Sequence, residues 1–106
     1  MTTTKELLQE AKALIEKGWT QGVAARDDEG IPVPSTSPVA TCWCVYGALS
    51  RAEDNLGYQS GAPYAGAVDA IAGVSGKSLL AVWNDAPGRT KKEVLDTFQK
   101  AIDSLE

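Results

Sequence analysis

The chain has 106 residues, 43% of them apolar and 23% charged, which fits one folded domain over 1–106 and argues against intrinsic disorder. Its formal net charge is −4, with two cysteines and no histidine. These figures argue against a disulfide framework, histidine-paired nucleophiles and most zinc sites, and they suggest a reducing, cytoplasmic setting.

The first helix is expected to start at Thr3-Thr4-Lys5-Glu6, a capping box in which Thr3 and Glu6 satisfy each other's amides. Leu7, Leu8, Ala11, Leu14 and Ile15 then form one apolar stripe at helical spacing. Gly18 is read as a left-handed stop, with Trp19 folding back onto the stripe. The lysine and glutamate residues from Lys5 onward leave no apolar core in 1–17, so no secretory signal is expected.

Residues 19–37 read as irregular, with a short β-hairpin allowed at 23–33 and Gly30 at its tip. Pro32 and Pro34 confine any such ribbon to an edge. A buried central helix is expected from Pro38, with Ser37 as its N-cap, continuing to Gly57. A competing reading makes Thr41 to Tyr46 a buried strand, and the pattern leaves that choice open. The apolar run 39–49 is too short to span a bilayer, which takes roughly 18 residues or more.

Residues 57–63 read as a loop, 64–72 as a short helix burying Ala67, Val68 and Ile71, and 78–83 as a single turn. Thr90-Lys91-Lys92-Glu93 is a second capping box. It opens a last helix with Val94, Leu95, Phe98, Ala101, Ile102 and Leu105 on its stripe. The fold class expected is all-α, with three long helices, one or two short ones and the allowed hairpin.

Cys42-Trp43-Cys44 lacks a third soft ligand, so no metal or other cofactor is expected and both thiols are read as buried small hydrophobes. Gly76-Lys77-Ser78 resembles the end of a P-loop, but Ile71 stands where that motif requires glycine. Trp19, Trp43, Trp83, Tyr46, Tyr58 and Tyr64 are read as core anchors rather than as a pocket lining. Thr20, Gln21, Arg26, Asp27 and Asp28 read as a solvated ribbon that could otherwise rim a pocket.

Residues 83–90 have two readings. Pro87-Gly88 suits a type II turn, and Asn84 or Asp85 suits an Asx-turn, which together make a rigid connector into the last helix. Alternatively, Gly88, Arg89, Thr90, Lys91 and Lys92 gather cations and open amides at a helix N-terminus, where an anion would bind. Asp85 is within sequence reach of Arg89 and would compete with that anion. Arg89, Lys91 and Lys92 are the only basic cluster on an acidic chain, so no nucleic acid is expected as a partner.

Several segments together resemble a known family. They are Gly18-Trp19-Thr20-Gln21, Ala24-Ala25-Arg26-Asp27 with Gly30, Ala40-Thr41-Cys42-Trp43-Cys44-Val45-Tyr46-Gly47-Ala48-Leu49, and Trp83-Asn84-Asp85-Ala86-Pro87-Gly88-Arg89-Thr90 with Glu93-Val94-Leu95. Their order is similar to that in a family of short bacterial and phage proteins known only as a domain of unknown function. The resemblance implies a stand-alone intracellular domain and supplies no activity or ligand. The expected function is a non-enzymatic binding or interaction module, open to a regulatory role, with a protein or a small anion as partner. A small enzyme using Asp85 or another carboxylate with Arg89, or Cys44 as nucleophile, is the alternative. A subunit that buries tryptophan surface in an oligomer is the third reading.

Overall fold

Both capping boxes form as their sequences require. Thr3 Oγ1 accepts from the Glu6 amide, Glu6 Oε1 accepts from the Thr3 amide, and Thr90 and Glu93 repeat the exchange. The computed structural model describes residues 3–57, 62–77 and 79–105. Expectations that fell on Tyr58, Ser78 and the 58–61 part of the second loop lie outside these residues. Among the described residues the order is α1 (Thr4–Lys17), β1 (Ala25–Arg26), β2 (Cys42–Trp43), α2 (Val45–Leu56), α3 (Ala62–Ser75), α4 (Leu80–Asp85) and α5 (Lys91–Asp103). The fold is mostly helical, as expected. α3 is longer than the short helix read from the sequence, because Ala62-Pro63 starts it early and Gly76, at φ +75°, ends it late.

α1 buries Leu7, Leu8, Ala11, Leu14 and Ile15 against α2, α3 and α5. All five helices contribute to one hydrophobic core, with Phe98, Leu49, Ile71 and Leu80 wholly buried in it. None of the described helices is long and apolar enough to cross a membrane.

Gly18 ends α1 for a different reason from the one expected. Its φ of −176° is ordinary extended backbone, not the left-handed turn. A Cβ there would instead collide with Thr41 O and lie 2.8 Å from Cys42 Cβ. The chain leaves α1 directly alongside β2, where Trp43 N donates to Gly18 O (3.0 Å) and Thr20 N to Trp43 O (3.1 Å).

The hairpin at 23–33 is present in reduced form. Asp27 and Ile31 close around Gly30, and Arg26 makes a single bridge to Pro32. The true partner of β1 is β2, antiparallel, with Ala25 opposite Trp43 and Arg26 opposite Cys42.

The helix expected from Pro38 is corrected: α2 begins at Val45, with Cys44 as N-cap. Residues 38–39 form a turn in which Ala40 N donates to Ser37 O (3.1 Å). Extended backbone at 41–44 is favoured because its amides reach Arg26 O, Gly18 O and Ala24 O, partners a helix there would forfeit. Trp43 Nε1 and Arg51 also hold Ser35 O, and Arg51 reaches Ser37 O, so the 35–37 loop is tied to α2. At the other end α5 stops at Asp103, and Leu105 lies beyond the helix with 42% of its surface exposed.

Candidate functional site

Asn84 is fully buried although polar, so each of its hydrogen-bonding valences needs a partner. Oδ1 accepts from Trp19 Nε1 (2.8 Å) and from Val45 N (3.2 Å). Nδ2 donates to Thr20 O (3.1 Å) and to Asp85 Oδ1 (2.9 Å). One side chain on α4 therefore fixes the 19–20 segment, the first turn of α2 and its own neighbour Asp85. Gln21 Nε2 adds bonds to Asn84 O and Ala86 O.

Asp85 Oδ1 also accepts from Gly22 N (2.9 Å). Gly22 has φ +84°, a backbone state that glycine adopts without strain, and this aims its N–H at the carboxylate. Asp85 Oδ2 has no hydrogen-bond partner among the described residues. Beside it opens a cleft of about 260 Å³ lined by Gly22, Val23, Ala24, Cys44, Tyr46, Ala81 and Asp85. Its walls are mostly apolar, with one fixed carboxylate at the edge.

The wall at 22–24 sits close to α2 because residue 47 is glycine. A Cβ on Gly47 would collide with Ala24 O, the carbonyl that accepts from Cys44 N. Cys44 Sγ accepts from Gly47 N (3.3 Å), so a thiol does the capping work usually given to serine or aspartate. Burial pushes the Cys44 thiol above its ordinary pKa, the amides of Gly47 and Tyr46 oppose this, and the Asp85 charge raises it further. The thiol therefore stays protonated at neutral pH. Tyr64, near Tyr46 and Cys44, is likewise raised, chiefly by burial, with Ser50 opposing.

A model of a protein family matches residues 1–104. The chain belongs to a family of unknown function (DUF6197). Neither a curated protein nor a solved structure matches it. The DUF6197 assignment carries no ligand, so the chemistry of the site rests on its geometry.

In this DUF6197 chain the residues read as an anion site are distributed among internal partners. Gly88 holds φ +82° in the expected turn, with Arg89 N donating to Ala86 O (3.0 Å). The Arg89 guanidinium stacks 4.3 Å from the Trp83 ring centre, donates to Trp83 O (2.9 Å) and pairs with Glu93 (3.3 Å). Thr90 is committed to the cap, and Lys91 Nζ reaches Glu16 O (2.8 Å). Lys92 pairs with Asp96 (2.8 Å), which raises the lysine pKa and lowers the aspartate's. Asp85 does not join Arg89. It belongs to the cleft with Gly22 and Asn84. Arg89 instead lines a separate, polar groove of about 290 Å³ with Trp83, Glu93, Asp96, Thr97 and Lys100.

Trp43 and Trp83 are buried as anchors, and Trp19 is half-buried. Thr20, Gln21 and Arg26, read as a solvated ribbon, are instead bound into the framework of the cleft. Arg26 donates to Thr20 Oγ1, Gln21 O and Gly30 O. Sequence reading missed Asn84 as the hub, and it missed Gly22, Val23, Ala24 and Ala81 as walls. The only local signal was the Trp83-Asn84-Asp85 run. Among the described residues, no three His, Cys, Asp or Glu side chains gather as a metal site would require.

Proposed function

We propose that this chain is a small non-enzymatic binding module and that its cleft receives one side-chain-sized group. The observation that carries this reading is the Asp85 carboxylate, fixed through one oxygen at the edge of an apolar cleft. Ligand sites are concave and mostly apolar, with a few polar groups to fix orientation. The protonated Cys44 thiol and the separate partners of Asp85 and Arg89 weigh against the enzyme alternatives. The internal acceptors of Arg89, Lys91 and Lys92 favour the cleft over the start of α5 as the ligand site. The free cysteines and the resemblance to bacterial and phage proteins support a cytoplasmic home.

The test is an NMR titration of labelled protein with a mixture of small alcohols, amines and acids. Amide shifts confined to Gly22, Val23, Ala24, Cys44 and Ala81 are expected. A spectrum unmoved at those positions sinks the reading.

One observation favours a second reading, in which the chain is a subunit of an oligomer. Leu79 and Val82, 66% and 65% exposed, put apolar side chains on the outside of α4. Light scattering after size-exclusion chromatography tests it. A dimer that Val82→Asp converts to monomer is the expected result, and a concentration-independent monomer removes the reading.

A further inference from the structure

We propose that the group bound in the cleft is a protonated amine on a short apolar stem, with its ammonium on Asp85 Oδ2 and its stem against Val23, Ala24 and Ala81. This inference rests on the cleft being the ligand site. Three features argue for it.

The first is size. About 260 Å³ lies just below the range of roughly 300–1,000 Å³ for drug-sized ligands, so the cleft suits a group no larger than a side chain and not a nucleotide. The second is the sign of the charge. Asp85 is the one carboxylate lining the cleft, no lysine or arginine lines it, and burial raises the pKa of the Cys44 thiol. Two features that could favour an anion are already engaged. The α2 first-turn amides of Val45 and Gly47 are bonded to Asn84 Oδ1 and Cys44 Sγ, and the guanidinium of Arg26 is bonded to Thr20, Gln21 and Gly30. The third is orientation. Gly22 N and Asn84 Nδ2 both bind Oδ1, which turns the carboxylate as a unit and leaves Oδ2 to accept a charge-assisted bond from the ligand.

The ammonium could come from a free alkylamine or from a lysine side chain of another protein, and the experiment separates these sources. Labelled protein is titrated with n-butylamine, with n-butanol as its neutral isostere, and with N-acetyl-lysine methylamide. The expected result is at least about tenfold tighter binding of butylamine than of butanol, read from the amides of Gly22 and Ala24. Asp85→Asn, which keeps an oxygen for Gly22 N, should bring butylamine down to the level of butanol. Should Asp85→Asn fail to fold, the unaltered protein gives the same answer through salt. Raising ionic strength from about 0.01 M to about 1 M shortens the screening length from about 30 Å to about 3 Å, which should weaken butylamine several-fold and leave butanol unchanged. Tighter binding of the lysine probe than of butylamine assigns a protein partner, and the reverse assigns a free amine. Equal binding of butylamine and butanol overturns the ammonium while the cleft survives as a site. Shifts from neither overturn both.

Discussion

Asn84 concentrates more stability than its size suggests. Asn84→Ala leaves the buried Val45 N and the half-buried Trp19 Nε1 and Thr20 O without their partner, at about 1–3 kcal/mol for a buried group and less for a half-buried one. A total loss of about 3–5 kcal/mol is expected from urea denaturation, a large share of the roughly 5–15 kcal/mol typical of a folded domain. Arg89 works more locally. Arg89→Ala removes the stacking on Trp83 and the bond to its carbonyl, and should lower stability by about 1–2 kcal/mol in the same assay. Neither role was legible in the sequence. The sequence offers Asn84 or Asp85 as an Asx-turn former because such side chains often bond nearby backbone amides, but the partners of Asn84 at Trp19, Thr20 and Val45 lie 39–65 residues away. A spacing of that kind leaves no periodicity to detect.

At the scale of elements, α1 and α5 were legible because each carries its own instructions. A capping box fixes the start, and the apolar stripe fixes the buried face. Leu14→Ala and Phe98→Ala should each cost about 2–5 kcal/mol, measured as a shift of the denaturation midpoint. Ser37-Pro38 offers a familiar helix opening, but the strand alternative holds at Cys42–Trp43, and the real N-cap of α2 is a cysteine whose sulfur does the accepting. The extended run ahead of it is stabilised by backbone partners at Gly18, Ala24 and Arg26, none of them visible from local propensity. The close approach that results makes a sharp expectation for Gly47→Ala. The added methyl meets Ala24 O, so the 22–24 wall must move. Amide shifts at Gly22, Val23 and Ala24 should change more in this variant than in Gly73→Ala, where a Cβ meets nothing.

Across the whole molecule, alkaline pH should reveal the buried thiol and phenol. Folded Cys44 and Tyr64 hold their protons more tightly than ordinary cysteine and tyrosine, at 9.0 and 10.0. Between the ordinary and the raised values, the unfolded chain has lost protons that the folded chain keeps, which favours unfolding. Their contribution is therefore intact below pH 9 and is lost as pH climbs through the raised values. The urea midpoint should fall as pH rises above 9, and fall less in a Cys44→Ala, Tyr64→Phe variant. The same protonated state predicts slow reaction of Cys44 with a thiol reagent at neutral pH.

The four bonds of Asn84 have a consequence for motion. They join α4, the segment after α1 and the first turn of α2, so those pieces cannot open one at a time without breaking a bond made by the same side chain. Local opening in proteins proceeds through contiguous cooperative units. The indole proton of Trp19 and the amide proton of Val45, distant in sequence, should then exchange with deuterium through one shared event. Their rates should track each other as denaturant is added.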